Sequence, residues 1–531
     1  MKSVASEQAR PARDDSSSIW VWFEGAGLGV VAMLRLLWVH ISPLHEDLFH
    51  RNLPMTTVYR GILIDFAAVC VAAIALLLWL NRRDGEGRSP WWIAIAAVAV
   101  ARGAGWVQET WAGTPVNPRA AFVCCAGAFA LLWLLRRGWY GVAVKALRVA
   151  LMLVGFSICW MLPQLAWMAG YPEPVQASSF VKSAGPMAQR RVVWILLDEL
   201  SRDQAFDRRY PGLALPAFDS FAAQSVSFSN VQPGGYLTER IIPGLMDGQT
   251  ISDEKTALDG QLYVKTQDNP VWHAYNAGNT LLAEAQRAGW STGLAGWYLP
   301  YCRIFSNELN ECYRTMTEPL SGGYSRRQST AWNALAPIRK PLLRIAGRPV
   351  PATTPAELHA RDFEEILSHA EAMIADERIG FVFLHLPAPH PTGFYNRRTG
   401  AMGYAGSYVD NLALTDRTLS ELLQRIAETH LADRTTVIVS SDHSWRIPMW
   451  HPEAGWTPED EMALGGRGFD QRPVLMVHFP EEQSGATVGA PFPLMREHVM
   501  IEGILDQRIA TAQELEQWGT ESQSSNTRFA R

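Results

Sequence analysis

Four separated stretches of the sequence carry side chains that could together hold a divalent cation beside a threonine hydroxyl. Asp198 ends the apolar run VVWILLD, Thr238 lies in GYLTERIIPGLMDG, His390 lies in HLPAPHPTG, and Asp442 and His443 follow TTVIVSS. Carboxylate and imidazole ligands suit Zn²⁺ or Mn²⁺ better than Ca²⁺, which prefers an all-oxygen shell. A bound cation activates a weakly nucleophilic hydroxyl by lowering its pKa. The residue types therefore predict a metal-dependent reaction with Thr238 as nucleophile.

Each of these residues also has a simpler interpretation when it is taken alone. Asp198 could cap a turn, Thr238 could be a helix N-cap, and His390 could be a loop histidine packed against prolines. Only the combination of the four stretches favours a site. Glu199 is predicted to be either a base behind the ligands or a charge at a helix start.

Three further histidines are predicted from their positions in the chain. His451 is the best candidate for an additional histidine at the site. His385 and His478 lie inside predicted strands, and both are expected to be core residues.

The elements that must position these residues are predicted to be alternating strands and helices. Continuous apolar runs are typical of parallel strands that are buried on both faces. They occupy residues 192–197, 380–386, 435–440 and 474–479, and helical stretches occupy residues 355–376 and 408–429. The alternation predicts a doubly wound α/β domain with a mostly parallel sheet. Ligands bind beyond the carboxyl ends of such strands, where Asp198, His390 and Asp442 fall.

The first third of the chain differs from the rest because it is apolar and carries few charges. Five apolar runs each have the length of roughly 17–25 residues that a helix needs to cross a bilayer. They occupy residues 19–41, 60–80, 90–111, 119–135 and 141–162. Buried core helices are the alternative, but the succession of five runs favours an α-helical membrane domain of five helices at residues 1–170.

The basic residues of this region predict its orientation. They precede the first run and lie between alternate pairs of runs: Lys2, Arg10, Arg13, Arg82, Arg83, Arg88, Arg136, Arg137 and Lys145. The positive-inside rule then places the N-terminus in the cytoplasm and everything after about residue 170 outside the cytoplasmic (inner) membrane. Charges within the runs either line a headgroup path or, in the simpler interpretation, snorkel or pair between helices. These charges are Glu24, Arg35, Asp65 and Arg102.

The remaining boundaries follow from composition. Residues 171–187 are rich in Pro, Ser and Gly and are predicted to be a linker, residues 188–515 an extracytoplasmic catalytic domain, and residues 516–531 a polar tail. Cys302 and Cys312 are expected to form a disulfide in an oxidising compartment, with two buried thiols as the alternative. The net charge of -5 gives no electrostatic footprint for nucleic-acid binding.

The motif residues resemble those of the alkaline phosphatase superfamily in its sulfatase-like branch. With its N-terminal membrane helices, the chain is most similar to the phosphoethanolamine transferases and, more distantly, to the lipoteichoic acid synthases. The resemblance implies that Thr238, five residues before Pro243, is the nucleophile and a metal ligand. It also implies that the metal, with Zn²⁺ favoured and Mn²⁺ possible, is bound by Asp198, Asp442 and His443. His390 and His451 would bind the substrate phosphate or a second metal.

The chain also departs from these relatives. Asp198 stands where the transferases carry Glu, and Ser444 follows the Asp-His pair where they carry Gly. None of the six cysteines lies in the CxPxR-type motif that sulfatases convert to formylglycine, which disfavours a hydrolase of that kind.

The preferred hypothesis is transfer of a phosphate-ester group, such as a phosphoethanolamine headgroup. The donor would be a membrane phospholipid, the acceptor an envelope glycan or lipid, and the intermediate a phospho-threonine. One alternative is a hydrolase of the same superfamily: a phosphodiesterase, phosphatase or sulfatase. A second alternative is a non-catalytic envelope assembly protein.

Overall fold

A computed structural model gives the architecture of most of the chain. It describes residues 16–41, 55–83, 89–110, 117–172, 179–182, 186–315, 354–453, 455–466, 468–480 and 484–521, with shorter pieces between 324 and 347. Several predicted features lie outside the described residues: the N-terminal basic residues, linker residues 173–178 and 183–185, and the tail from residue 522. The described residues form two compact units.

The first unit contains the described residues up to 172 together with those between 324 and 347. Each of the five apolar runs is helical in its described part. The helices are Ser16–Ala32, Leu34–His40, Thr56–Arg83, Trp91–Thr110, Pro118–Leu135, Arg137–Gly155 and Ile158–Gly170, followed by the short helix Thr330–Asn333. Among the described residues, three stretches are long and apolar enough to cross a membrane: Thr56–Arg83, Pro118–Leu135 and Arg137–Gly170. The length of the chain's helices therefore supports a membrane anchor.

Small residues let two helices of this unit approach closely. A Cβ atom at Gly27 would lie 1.8 Å from the Leu151 carbonyl oxygen, and one at Gly155 would lie 1.9 Å from that of Phe23. Close contact between small residues is a common way for helices to associate in lipid. Beside this contact, Arg148 Nε lies 2.9 Å from the Glu24 carboxylate. Glu24 therefore pairs between helices, which was one of the two interpretations of the charges in the apolar runs.

The second unit is built on a central sheet. Its strands and those of three small sheets are, in chain order, β1 Ser179–Val181, β2 Arg191–Leu197, β3 Val226–Phe228, β4 Val231–Gln232, β5 Ile251–Thr256, β6 Leu262–Thr266, β7 His273–Ala274, β8 Thr292–Trp297, β9 Glu311–Thr315, β10 Phe381–Leu386, β11 Gly393–Asn396, β12 Ala401–Gly406, β13 Thr435–Ser440, β14 Leu475–His478, β15 Ala486–Val488 and β16 Phe492–Pro493. The order in the nine-stranded sheet is β1-β9-β8-β10-β2-β13-β14-β3-β15. The block β9-β8-β10-β2-β13 is parallel throughout. The predicted mostly parallel sheet is confirmed.

One strand of the four predicted from apolar runs is not parallel to the others. β14 pairs with β13 in the antiparallel sense. The reason is that residues 441–474 leave the sheet at the carboxyl end of β13 and return to the same end. The long insertion therefore stays at the edge of the sheet where ligands bind.

Helices cover both faces of the sheet. Along β2, Val192, Trp194 and Leu196 belong to one hydrophobic core. Val193, Ile195 and Leu197 belong to the other. This two-sided burial is why β2 reads as a continuous apolar run. The helices of the unit are Pro216–Ala223, Thr238–Asp247, Leu281–Arg287, Tyr301–Ile304, Pro355–Ala375, Tyr408–Ala427, Ile447–Trp450, Pro458–Leu464, Glu497–Leu505 and Ala512–Thr520, with a π-helical turn at Asp203–Asp207.

The second unit includes residues that were predicted to belong to the linker and to the polar tail. β1 lies in the predicted linker and pairs with β9. The helix Ala512–Thr520 runs into the predicted tail, and the Trp518 ring lies 6.0 Å from that of Phe492. Cys302 and Cys312 form a disulfide.

Candidate active site

The carboxyl ends of three adjacent parallel strands bring the predicted acidic and histidine residues together. In the register of the sheet, Leu197 at the end of β2 is level with Leu386 at the end of β10. Leu196 is level with Ser440 at the end of β13. Asp198 directly follows β2, and Asp442 lies two residues after β13. The edge of the sheet therefore places both carboxylates at one point, as the strand-end rule predicts.

Thr238 reaches the same point from the start of a helix. It is the first residue of the helix Thr238–Asp247, and Leu237 occupies the N-cap position. The Thr238 hydroxyl donates a hydrogen bond to Asp442 Oδ2 at 2.7 Å and lies 3.2 Å from His443 Nε2. Because the hydroxyl is turned into the site, the simpler interpretation of Thr238 as an N-cap is wrong.

Three buried side chains form a group with the spacing of a metal site. One ligand atom each from Asp198, Glu199 and His443 lies within 4.8 Å of the other two. Asp442 holds this group together, because its Oδ1 accepts hydrogen bonds from the backbone N–H of Glu199 and of His443 at 3.2 and 2.9 Å. Its Oδ2 lies 3.0 Å from His443 Nε2. Asp198, Thr238, Asp442 and His443 therefore converge as predicted.

Burial sets the protonation of this group. Burial raises the pKa of Asp198, and the neighbouring charge of Asp442 raises it further. Burial opposes protonation of His443, but the adjacent Asp442 carboxylate outweighs it and raises the pKa of His443 to about 9. Burial likewise opposes ionisation of Asp442, yet the charge and hydrogen bond of His443 hold the pKa of Asp442 below its usual value. The buried carboxylates of Asp198 and Asp442 therefore need a nearby positive charge if both are to be ionised.

The Asp198 carboxylate is the group that a divalent cation fits best. Neither of its oxygens has a hydrogen-bond partner among the described residues. The nearest donor atom, His385 Nε2, lies 3.4 Å from Oδ2, which is longer than an ordinary hydrogen bond. A buried carboxylate without donors is costly, whereas oxygen and imidazole ligands around it match Zn²⁺ or Mn²⁺. The residues therefore fit the expected metal.

Glu199 is held by partners that the sequence did not predict. Its carboxylate is fully buried and accepts hydrogen bonds from Arg446 Nε at 2.6 Å, from the Arg446 backbone N–H at 3.0 Å and from Trp450 Nε1 at 2.9 Å. Glu199 also has a φ of 63°, a left-handed conformation that costs a non-glycine residue about 1–3 kcal/mol. Glu199 thus binds the buried guanidinium of Arg446, and it is also one of the three residues of the acidic group.

His390 lies beside this arginine. Its Nε2 is 3.2 Å from Arg446 Nη2 and 3.7 Å from Glu199 Oε1. Its ring contacts the rings of Trp297 and Trp450, with centroids 5.0 and 5.2 Å apart. Burial and the charge of Arg446 lower the pKa of His390 well below its usual value, so the imidazole is neutral. The structure therefore places His390 beside Glu199 and Arg446.

Two further residues contact the site although they were expected to be core or were not predicted. His385 is completely buried, but its Nε2 faces Asp198 and its Nδ1 lies 2.7 Å from the Tyr301 hydroxyl. His385 is therefore buried as expected of a core residue, and it also faces Asp198 because its strand ends directly beside β2. Arg446, three residues after His443, was missed. Its position three residues after the Asp-His motif was the available signal.

Two other histidines do not reach the site. The His451 side chain is exposed, and its Nε2 lies 3.2 Å from Glu461. The prediction of His451 as a ligand is wrong, because the short helix Ile447–Trp450 turns this residue outward. His478 lies at the end of β14 with Nδ1 2.7 Å from the Gln224 carbonyl oxygen, which is a structural role.

Comparisons with known proteins give one matching family and several similar solved structures. The family model described as Sulfatase matches residues 190–460. The fold is similar to a sulfatase from Pseudoalteromonas sp., with 16% identity, 60% of this chain and 69% of that chain covered, and a TM-score of 0.38. It is also similar to the phosphonate monoester hydrolase of Agrobacterium radiobacter, with 14% identity, 60% and 74% coverage, and a TM-score of 0.36.

A third similar structure is murine ectonucleotide pyrophosphatase/phosphodiesterase 5 in complex with AMP. The identity is 12%, the coverage 61% of this chain and 96% of that chain, and the TM-score 0.34. Similarities at these TM-scores carry no inference about substrate. No curated protein matches the chain in sequence.

Proposed function

The chain belongs to the sulfatase family, and we propose that it is a metal-dependent enzyme that moves a phosphate-ester group from a membrane phospholipid to an acceptor in the cell envelope. One observation carries the proposal. The Thr238 hydroxyl, at the start of its helix, lies 2.7 Å from Asp442 and 3.2 Å from His443, next to the acidic group of Asp198. These contacts support the role of nucleophile for Thr238, since a threonine in a capping role would occupy the N-cap position, which is Leu237 here.

The residues have distinct roles in the proposed reaction. Asp198, Asp442, His443 and Thr238 would hold the cation, for which Zn²⁺ is favoured and Mn²⁺ is possible. The bound cation would stabilise charge on the phosphate and lower the pKa of the threonine hydroxyl. Arg446 and the neutral His390 face the same space and would orient the phosphate oxygens.

The first step forms a bond between Thr238 Oγ1 and phosphorus and breaks the bond between phosphorus and the diacylglycerol oxygen. Thr238 loses its proton, and the leaving diacylglycerol oxygen takes one up. In the second step an acceptor hydroxyl oxygen forms a bond to phosphorus and the bond between phosphorus and Thr238 Oγ1 breaks. The acceptor loses its proton, and Thr238 Oγ1 takes one up. Proton and charge therefore balance over the cycle, and no other reactant is needed.

The membrane helices favour a lipid donor. Among the residues that the structure describes, three stretches are long and apolar enough to cross a bilayer, so the enzyme would stay at the surface where phospholipid headgroups are abundant. The proposed location is the cytoplasmic membrane, with several crossings, the N-terminus in the cytoplasm and the catalytic domain outside. A phosphoethanolamine-like headgroup and an envelope glycan or lipid are the proposed donor group and acceptor.

Mass spectrometry of the Thr238 peptide tests the covalent step. The full-length protein is incubated with phosphatidylethanolamine in detergent and digested after acid quenching. The peptide is expected to gain the mass of the transferred group, and Thr238→Ala is the control that must lack it. An unmodified Thr238 peptide in a metal-loaded preparation that still consumes lipid would exclude the phospho-threonine route.

A hydrolase is the second candidate, because the family model that matches the chain is that of the sulfatases. Both reactions share the first step, so the products distinguish them. Headgroup-labelled phosphatidylethanolamine is supplied together with envelope glycolipids. Label on the glycolipid indicates transfer, and label released to water indicates hydrolysis.

The remaining alternative is a non-catalytic envelope protein. It predicts a purified protein without bound metal and lipid turnover that does not change in Thr238→Ala. Elemental analysis of the wild-type protein beside Asp198→Asn decides this point.

A further inference from the structure

A segment that follows β9 in the chain belongs to the helical unit and not to the sheet-containing unit. Residues 319–350 were predicted to be part of the catalytic domain, but their described residues pack within the first unit. Two contacts attach them to the helix Thr56–Arg83. The Tyr324 hydroxyl donates a hydrogen bond to Asp65 Oδ2 at 2.5 Å, and a Cβ atom at Gly61 would lie 2.6 Å from Asn333 Cβ. Both contacts are within the first ten residues of that helix.

In this segment a polar residue is buried and large apolar residues are exposed, which is the opposite of a surface that faces water. Asn333, a polar residue, is completely buried against the helix, and so is Ala336. On the other side, Trp332, Leu335 and Ile338 have exposed fractions of 48%, 41% and 50%. Three large apolar residues at a spacing of three form one outward stripe. Such a stripe next to membrane-spanning helices has the character of a surface that contacts lipid.

The charges of the same segment have a single sign. Between Pro319 and Thr353 the sequence contains no Asp or Glu and six basic residues: Arg326, Arg327, Arg339, Lys340, Arg344 and Arg348. The Arg339 guanidinium lies over the Trp332 ring, 5.5 Å from its centroid, so a basic group and the apolar stripe occur together. Tryptophan with neighbouring basic residues is typical of the headgroup region of a bilayer. A uniformly basic surface attracts anionic phospholipids.

We propose that residues 329–336, 338 and 339 form a lipid-binding surface that takes acidic phospholipids of the outer leaflet of the membrane. Trp332, Leu335 and Ile338 enter the boundary between headgroups and acyl chains, and Arg339 contacts the lipid phosphates. The inference rests on the proposed membrane location, and it is independent of the chemistry proposed for Thr238. It gives the enzyme a second contact with the lipid surface, contributed by a segment inserted between β9 and the helix Pro355–Ala375.

Photo-crosslinking tests this surface in the full-length protein. A benzophenone amino acid is placed at position Leu335 or Ile338, and the protein is reconstituted in nanodiscs with equal amounts of phosphatidylcholine and phosphatidylglycerol. Lipid adducts are expected at both positions, enriched in phosphatidylglycerol. The same residue at Leu131, an exposed apolar position of the helix Pro118–Leu135, is the positive control for contact with acyl chains.

Charge reversal tests the preference for acidic lipid. Arg339→Glu is expected to lower the ratio of phosphatidylglycerol to phosphatidylcholine adducts by about fivefold or more, which corresponds to about 1 kcal/mol for a basic residue at a membrane surface. Arg434→Glu, an exposed arginine of the second unit, is the matched control and should leave the ratio unchanged.

Three results would overturn the proposal. They are the absence of lipid adducts at both positions in nanodiscs where Leu131 gives them, adducts without lipid preference, and adducts to a second copy of the chain. Thr238→Ala should keep the adducts, so a failure of the proposed catalysis would be distinguished from a failure of this surface.

Discussion

The buried pair of Arg446 and Glu199 gives a prediction whose size follows from the structure. Arg446→Met keeps much of the apolar stem of the side chain but removes the guanidinium that contacts the fully buried Glu199 carboxylate. Removing one partner of a buried ion pair costs about 3–5 kcal/mol, because the other charge stays buried without compensation. Burial already raises the pKa of Glu199, so the carboxyl can take up a proton and limit the loss. The expected loss of folding free energy is therefore near the lower end of that range, about 3 kcal/mol.

Thermal unfolding of the full-length protein in detergent measures this loss. For a domain of this size, 1 kcal/mol corresponds to a shift of roughly 2 °C, so the expected fall in the midpoint is about 6 °C. Arg434→Met is the matched control, because its guanidinium is exposed and lies 3.8 Å from Asp433. Its midpoint should change by less than about 1 °C.

The double variant Arg446→Met/Glu199→Gln separates stability from function. This variant leaves neither charge unpaired and should recover most of the lost thermal midpoint. Lipid turnover should stay low, because His390 has lost the neighbouring guanidinium of Arg446. A fall of less than about 2 °C in Arg446→Met, the shift that roughly 1 kcal/mol would give, would refute the reasoning. That result would mean that the Glu199 carboxylate is stabilised by another partner, such as the proposed divalent metal ion.

Substitutions at four further residues test the site and its surroundings. Thr238→Ala should lower turnover by about 10³-fold or more at unchanged thermal midpoint, while Thr238→Ser keeps a hydroxyl and measurable turnover. Asp198→Asn should lose most of the bound metal by elemental analysis, and retention of one ion per chain would contradict its role as a ligand. His451→Ala should leave turnover unchanged, since its imidazole faces solvent and Glu461. Burial raises the pKa of Glu497 from 4.5 to about 8, so the folded protein keeps a proton that the unfolded chain releases, and stability falls as the pH rises from about 4.5 to 8. Glu497→Gln should therefore raise the thermal midpoint at pH 8 and not at pH 4.5; equal shifts at both values would exclude a proton held by Glu497.

The sequence by itself determined the features that depend on local pattern. β2, β10 and β13 were predicted from continuous apolar runs, because a strand buried on both faces has no polar side to show. Asp198 and Asp442 were found because the ends of parallel strands meet at one edge of the sheet. The apolar runs of the first third predicted helices, since hydropathy over such lengths is independent of what packs against them.

Only the tertiary structure decided which side chains share a space. The contact of Arg446 with Glu199 joins residues 247 positions apart, and no periodicity encodes it. His385 reads as a core residue in its strand and reaches Asp198 only through the register of β10 against β2. The turn of a short helix excludes His451, and packing against the helix Thr56–Arg83 moves the segment around Asn333 into the helical unit. These outcomes depend on long-range packing, where the partner of each side chain is set by the arrangement of distant elements and not by its neighbours in sequence.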